Sequence, residues 1–262
     1  MTVDRTLIFD VGFHRGEDTE YYLKRGFRVV GIEANPELCA FGRRRFADAI
    51  KSGALRLVNK AVAKAPGKIT FYRDPEHSVW GTIDPAWAAR NSRMGAISEP
   101  ITVEATTMDA LLAEFGVPHF AKFDIEGLDM VAVEGLRAQA GRPAYVSVEN
   151  AKDSLKGLRA EIETLTSLGY DRFKVVPQGK IPGRRDPASG HVFPEHASGP
   201  FGEEAPGEWL TAEQTIEAYK PIFVRYAIVG DDPIAPRWAQ SLAWWLGMRA
   251  DWYDTHAKLG GI

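Results

Sequence analysis

The stretch Asp10-Val11-Gly12-Phe13-His14-Arg15-Gly16, with Asp18 and Thr19 just beyond, sets glycines and acids where an apolar run gives way to polar sequence. Glycines at a strand-to-helix turn let a ligand approach the backbone closely. A second apolar run ends in Glu33-Ala34, where an acid can accept hydrogen bonds from both hydroxyls of a ribose. A dinucleotide site would also need to hold a pyrophosphate, whose fingerprint is G-x-G-x-x-G. Here the spacing is Gly-x-x-x-Gly, and Asp10 at the turn would repel a phosphate. The same acid would attract the cationic amino-acid end of S-adenosylmethionine. Further along, Asp124 and Glu126 follow one apolar run, and Glu149 and Asn150 follow another. Carboxylates gathered this way raise the proton affinity of one of their number, making it a general base. Alternatively they hold a divalent cation that acidifies a hydroxyl.

Positioning those groups requires alternating strands and helices. Thr6 to Val11 reads as a first strand, Glu17 to Arg25 as a helix stopped by Gly26, and Arg28 to Ile32 as a second strand. Asn35-Pro36 supplies an N-cap and a first-position proline for a helix to about Ile50. A third strand is expected over Leu55 to Val62, and a hairpin at Pro66-Gly67 into GKITFYRD. Residues 77–99 lack clean periodicity and read as an insertion facing the site. Ile101 to Ala105, Ala121 to Ile125, Ala144 to Val148, Arg172 to Val176 and Ile222 to Val229 read as strands. Met108 to Phe115 and Leu155 to Leu168 read as helices, the latter carrying Leu158, Ile162 and Leu165 on one stripe. Residues 177–207, dense in glycine and proline, read as a long loop or lid. Pro236 to Tyr253 reads as a helix whose tryptophans belong to the core, or else to a dimer interface. The expected architecture is one α/β domain over residues 1–262, a doubly wound, mostly parallel sheet with loop insertions. Its cofactor-binding half covers about 1–105, and its C-terminal helix about 236–253.

Four stretches in order, IFDVGFHRGEDT, VVGIEANPE, NKAVAKAPGKITFY and ITVEATTMDALLAEFGVPHFAKFDIEGLDMVAVEGL leading to YVSVEN, resemble the FkbM-type methyltransferases over roughly residues 7 to 150. The resemblance implies the class I methyltransferase fold, a Rossmann-like arrangement. It implies S-adenosylmethionine as donor, and most often a hydroxyl oxygen of a sugar or natural product as acceptor. It casts Asp10, Gly12 and Gly16 as the loop at the methionine end, with Thr19 supporting it. Glu33 and Ala34 take the ribose, and Lys60-Ala61 the edge of the adenine pocket. Family members usually carry a small residue and an asparagine between the glycines. Here Phe13 and His14 stand there and are assigned to the cofactor side, His14 being a candidate contact for cofactor or acceptor, or a loop residue bound to backbone or water. Asp18 is assigned to the cofactor side with them.

Methyl transfer is an in-line displacement at carbon, so an alcohol acceptor must be aligned and must lose its proton as attack proceeds. Glu126 is the candidate proton acceptor and Asp124 the residue at the cofactor and acceptor boundary, with Glu149 beside them. A helix cap is the structural alternative for Glu126. A divalent cation at Asp124, Glu126 and Glu149 is the alternative to a base. His77, Ser78, Trp80 and Asn150 are candidates to line the acceptor pocket, where an indole face suits a sugar ring. His191, Glu195 and His196 fall in a glycine- and proline-rich loop without a cysteine partner and are not assigned a metal.

The balance of 32 basic and 35 acidic residues, net charge -3, argues against nucleic acid or an anionic membrane as partner and for a small molecule. A homodimer is compatible with it. The one cysteine, Cys39, cannot form an intrachain disulfide, and no apolar leader or 18-residue apolar run is present, so a cytoplasmic protein is expected. Three other functions compete. An N-methyltransferase would need less base assistance. An NAD-dependent oxidoreductase should show the phosphate-binding glycines and a Tyr/Lys or His pair, and neither is found. A non-catalytic cofactor-binding module would need no acids at the strand ends.

Overall fold

The computed structural model describes residues 2–149, 154–230 and 233–261. Strand β1 (Val3–Val11), helix α1 (Glu17–Lys24) and strand β2 (Arg28–Ile32) form the first βαβ unit. Asn35 caps α2 (Pro36–Arg45), its side chain accepting from the Glu37 N–H. The expected single helix to Ile50 is broken at Phe46, whose ring is buried beside Phe13, and resumes as α3 (Ala47–Ser52). The expected strand Leu55 to Val62 divides as well. β3 (Leu55–Val58) joins the main sheet, whereas β4 (Ala61–Val62) enters a second sheet of three strands with β5 (Gly67–Arg73) and β6 (Glu99–Thr106). In that sheet β6 lies between β4 and β5, so Pro66-Gly67 does not close a hairpin. Between β5 and β6, the insertion holds a helix that periodicity missed, α4 (Pro85–Arg93), started by the Asp84 cap and Pro85.

Then follow α5 (Met108–Phe115), β7 (Val117–Phe123), α6 (Asp129–Gly135), β8 (Tyr145–Glu149), α7 (Leu155–Ser167), β9 (Tyr170–Pro177), α8 (Ala212–Val229), α9 (Arg237–Trp245) and β10 (Tyr253–Leu259). The main sheet runs β3-β2-β1-β7-β8-β10-β9, parallel except for β10, which is antiparallel to both neighbours. The chain reverses its winding between β1 and β7, which opens a crevice at the carboxyl ends of those strands. Alternation along β1 sends Leu7, Phe9 and Val11 to one core and Ile8 to the other. On the Ile8 face a buried polar row crosses five strands in register: Asp10, Lys122, Ser147, His256 and Lys174.

Three expectations for the C-terminal part are corrected. Ile222 to Val229 is not a strand but the second half of α8, which a Thr211–Gln214 capping box starts. Its buried Thr215, Ile216, Tyr219 and Ile222 follow helical spacing, and packing on α7 and β9 overrides the β-branched run. The helix expected over 236–253 stops at Trp245, and the last strand is β10. Only Ala243 of α9 is buried, while Trp238 is 71% and Trp245 81% exposed, so these tryptophans are not core. Residues 178–207 are irregular but firmly packed. Ile181, Phe193 and Ala205 are buried with Tyr21 and Tyr22 of α1, and Arg25 pairs with Glu204 and Asp186. The segment, expected as a long loop or lid, forms a packed wall of the molecule. Among the described residues, no helix is long and apolar enough to cross a membrane.

Candidate active site

The β1–α1 turn is built by close approach. Gly12 has φ 91°, and a Cβ there would lie 1.8 Å from the Asp124 carbonyl oxygen, so only glycine lets the ends of β1 and β7 meet. Gly16, at φ 82°, precedes α1 and donates its N–H to the Phe13 carbonyl at 2.8 Å. Phe13 itself is buried against Phe46 and fills the space beside three glycines, 16, 31 and 42, so its role is packing under the loop.

Below the turn lies a buried charge cluster that the sequence reading only half identified. Asp10 is 1% exposed and accepts from Thr19 Oγ1 at 2.6 Å. Lys122, also buried, places its Nζ 3.0 Å from Asp18, 3.1 Å from Asp124 and 4.0 Å from Asp10. Lys122 was overlooked, although it lies two residues before Asp124 and therefore on the same strand face. Asp18 also accepts the Ser198 N–H at 2.8 Å, tying the packed wall to this cluster. Burial pushes Asp10 up to about 7, with Lys122 holding it from rising further.

Glu33, at the end of β2, accepts the N–H of Asn35 at 2.7 Å and of His14 at 2.8 Å. Burial raises its pKa to about 7, against those two bonds. The backbone thus aims the carboxylate before any ligand arrives, leaving one further lone pair on each oxygen. Ala34, Lys60 and Ala61 line the same cleft from the neighbouring strand ends.

That cleft has a volume of about 1440 Å³ and gathers Gly12, His14, Glu33, Asp124, Glu126 and Glu149. Glu126 takes a left-handed backbone, φ 49°, ahead of Gly127 at φ 90°. Thr82 Oγ1 donates to the Glu126 carbonyl at 2.7 Å, and Trp87 packs so tightly on Gly127 that a Cβ would meet its indole nitrogen at 2.2 Å. Burial first, then the carboxylates Glu149, Asp124 and Asp129, push Glu126 well above the ordinary carboxyl range, with Arg90 opposing. Asp129, which the sequence reading did not single out, accepts the Ile125 N–H at 2.8 Å and is raised to about 7, mainly by burial.

Ser78 and Trp80 line the cleft as expected, together with Trp87 and Arg90 of α4. His77 does not: it is half exposed, stacks on Trp80 and pairs with Asp74 at 3.5 Å. Asn150 lies outside the described residues. Asp124, Glu126 and Glu149 share the cleft, yet among the described residues no three histidine, cysteine or carboxylate side chains are grouped to hold a metal ion. His191 is buried beside Tyr21 and Phe193, a wall residue.

The model of the methyltransferase FkbM domain matches residues 10–171, more than half of the chain. This chain belongs to the FkbM methyltransferase family. No match was found among curated proteins. Solved structures are similar at low identity. They include a precorrin-6y C5,15-methyltransferase from Geobacter metallireducens GS-15, 12% identical over 99% of this chain and 82% of that one, TM-score 0.39. An S-adenosylmethionine-dependent methyltransferase from Archaeoglobus fulgidus is 10% identical over 97% and 86%, TM-score 0.41. Another, from Geobacter sulfurreducens with S-adenosylhomocysteine bound, is 11% identical over 98% and 85%, TM-score 0.37. The class of fold therefore rests on the sheet order described above and on family membership. S-adenosylmethionine is the donor this methyltransferase family implies, and the residues fit it. The Glu33 lone pairs suit ribose hydroxyls, and the buried Oδ1 of Asp10 beside the glycine turn, which accepts no hydrogen bond, suits a cationic group.

Proposed function

We propose that the protein transfers a methyl group from S-adenosylmethionine to a hydroxyl of a small molecule, a sugar or a secondary metabolite. The observation that carries this reading is Glu126, a half-buried carboxyl with strongly raised proton affinity, lining the same cleft as Gly12 and Glu33. When bound, the donor supplies an electrophilic methyl on a positively charged sulfur. Asp10, Asp18 and Asp124 around Lys122 hold its amino-acid end, Glu33 its ribose, and Lys60-Ala61 flank the adenine. Asp124 stands at the border with the acceptor. Glu126 takes the proton that the acceptor hydroxyl gives up, a task suited to a group whose pKa has been moved towards the working pH. Glu149 and Asp129 contribute by keeping that proton affinity high. Trp80 and Trp87 offer flat apolar faces to the acceptor. A cleft of this volume exceeds the usual span for one small ligand and has room for donor and acceptor together. The buried free thiol of Cys39 supports a reducing compartment such as the cytoplasm.

A screen for S-adenosylhomocysteine release over a panel of hydroxylated acceptors, repeated on Glu126→Gln, tests the reading. The variant is expected to lose turnover by roughly 10²- to 10⁴-fold while binding S-adenosylhomocysteine as the parent does. Undiminished turnover would remove Glu126 from the role.

A further inference from the structure

We infer that His14 reads a hydroxyl group of a bound ligand, and that Ser78 is the internal competitor for the same ring nitrogen. His14 sits on the glycine turn with φ 51°, a left-handed conformation that costs a residue other than glycine energy and persists only where its surroundings impose it. Its backbone N–H is bound to Glu33 Oε2 at 2.8 Å, which fixes it to the ribose acid. Its side chain is held at both ends: Nδ1 lies 3.0 Å from Glu17 Oε1, and Nε2 lies 2.8 Å from Ser78 Oγ. Burial raises the proton affinity of Glu17, but the hydrogen bond from His14 and the nearby Lys122 charge help to leave Glu17 below its ordinary value. An ionised Glu17 only accepts, so Nδ1 carries the proton. In the neutral ring the lone pair is then on Nε2, which accepts the Ser78 hydroxyl proton. The ring nitrogen that meets the cleft-lining Ser78 is thus a preset acceptor for an O–H group.

Ser78 is a short side chain on a single turn of helix over 78–80, between the exposed His77 and the cleft-lining Trp80. His14, Glu17 and Ser78 all line the cleft, and the His196 ring lies 6.2 Å from that of His14. A ligand hydroxyl has the chemistry to replace Ser78 at Nε2 without disturbing the Glu17 bond. The O–H can come from the donor's ribose or from a polyhydroxylated acceptor. This inference rests on the methyltransferase reading for its ligands, but its test needs no turnover.

The experiment is calorimetric titration with S-adenosylhomocysteine of the parent, Ser78→Ala and Glu17→Gln, alongside ¹⁵N-histidine NMR of the His14 ring. The NMR is followed on adding S-adenosylhomocysteine and then methyl α-glucopyranoside as a simple polyol. If the ribose is read, Ser78→Ala binds S-adenosylhomocysteine roughly threefold to tenfold more tightly, since a competitor worth one hydrogen bond is gone. Glu17→Gln, which frees the tautomer, binds more weakly, and the Nε2 resonance moves on the first addition. If the acceptor is read, S-adenosylhomocysteine binds all three proteins alike and Nε2 moves only on adding the polyol. Nε2 unmoved by either ligand, or carrying a proton throughout, would overturn the inference. Failure of the parent to bind S-adenosylhomocysteine at all would instead strike the methyltransferase reading. Thermal unfolding of each variant shows that it is folded.

Discussion

At the scale of single residues the site depends on where protons reside. Asp10 is raised to about 7, chiefly by burial, so it is protonated below that value and ionised above it. Only the ionised form attracts a cationic group. S-adenosylhomocysteine affinity is therefore expected to increase severalfold between pH 6 and pH 8, and the increase should vanish in Asp10→Asn. Calorimetric titration at a series of pH values checks this, and a flat profile in the parent would mean that Asp10 does not titrate in that range. Lys122 contributes from below. Removing its charge leaves Asp10, Asp18 and Asp124 facing one another without a buried cation. Lys122→Met should lose cofactor binding by at least tenfold, with Lys122→Arg recovering part of it.

Among the elements, the decisive contact is where β1 and β7 end. Gly12 faces backbone, so an added Cβ has nothing flexible to push aside, and its positive φ adds strain. Gly53, at the end of α3, has a similar φ of 80° but no atom within 4 Å of the added group. Gly12→Ala should cost about 3 kcal/mol or more and Gly53→Ala about 1 kcal/mol, read from urea unfolding midpoints. Equal costs would show that backbone strain, rather than the meeting of the two strands, governs the turn. The 178–207 segment belongs at this scale too. It is joined to α1 through Arg25, Glu204 and the buried aromatic rings, and its Ser198 N–H binds Asp18.

For the whole molecule, burial of ionisable groups opposes the ordinary rise of stability toward neutral pH. Asp10, Glu33 and Asp129 each have a folded pKa of about 7, against unfolded values near 4. Between those values the folded chain binds more protons, so each lowers stability as pH rises through that window. His256 acts in reverse. Burial depresses it to about 3, so from pH 3 to about 6.5 the unfolded chain binds its proton and stability rises with pH. The raised carboxyls, Glu126 among them, outnumber the histidines that burial depresses, His256, His119 and His191, and the ligand-free protein should melt at a lower temperature at pH 8 than at pH 5. Saturating S-adenosylhomocysteine should shrink the difference, because it binds the ionised, folded form. A melting temperature that rises steadily over this range would contradict the assignment of these carboxyls.

Much of the site could be read from the chain because its parts are local. A glycine turn after a strand, an acid at the next strand end, and Asn35-Pro36 at a helix start depend on neighbours a few residues away, and Asp10, Gly12, Gly16 and Glu33 stand where their spacing put them. The FkbM resemblance rested on the same local runs. Contacts between distant segments were not legible in this way. His14 meets Ser78 across 64 positions, and Asp18 meets Ser198 across 180. Ile222 to Val229 has the composition of a strand, yet it lies in a helix because burial on α7 and β9 is worth more than intrinsic preference. The last strand, β10, pairs antiparallel between β8 and β9 through backbone bonds that no side-chain pattern announces. What the sequence determined by itself was the glycine turn and the alternation of strands and helices, since both follow from residue type at short range. Tertiary structure alone decided which carboxyls share a cleft, which of them burial forces to hold protons, and which partners meet the two nitrogens of His14. Those properties arise from desolvation and from partners that only folding brings together.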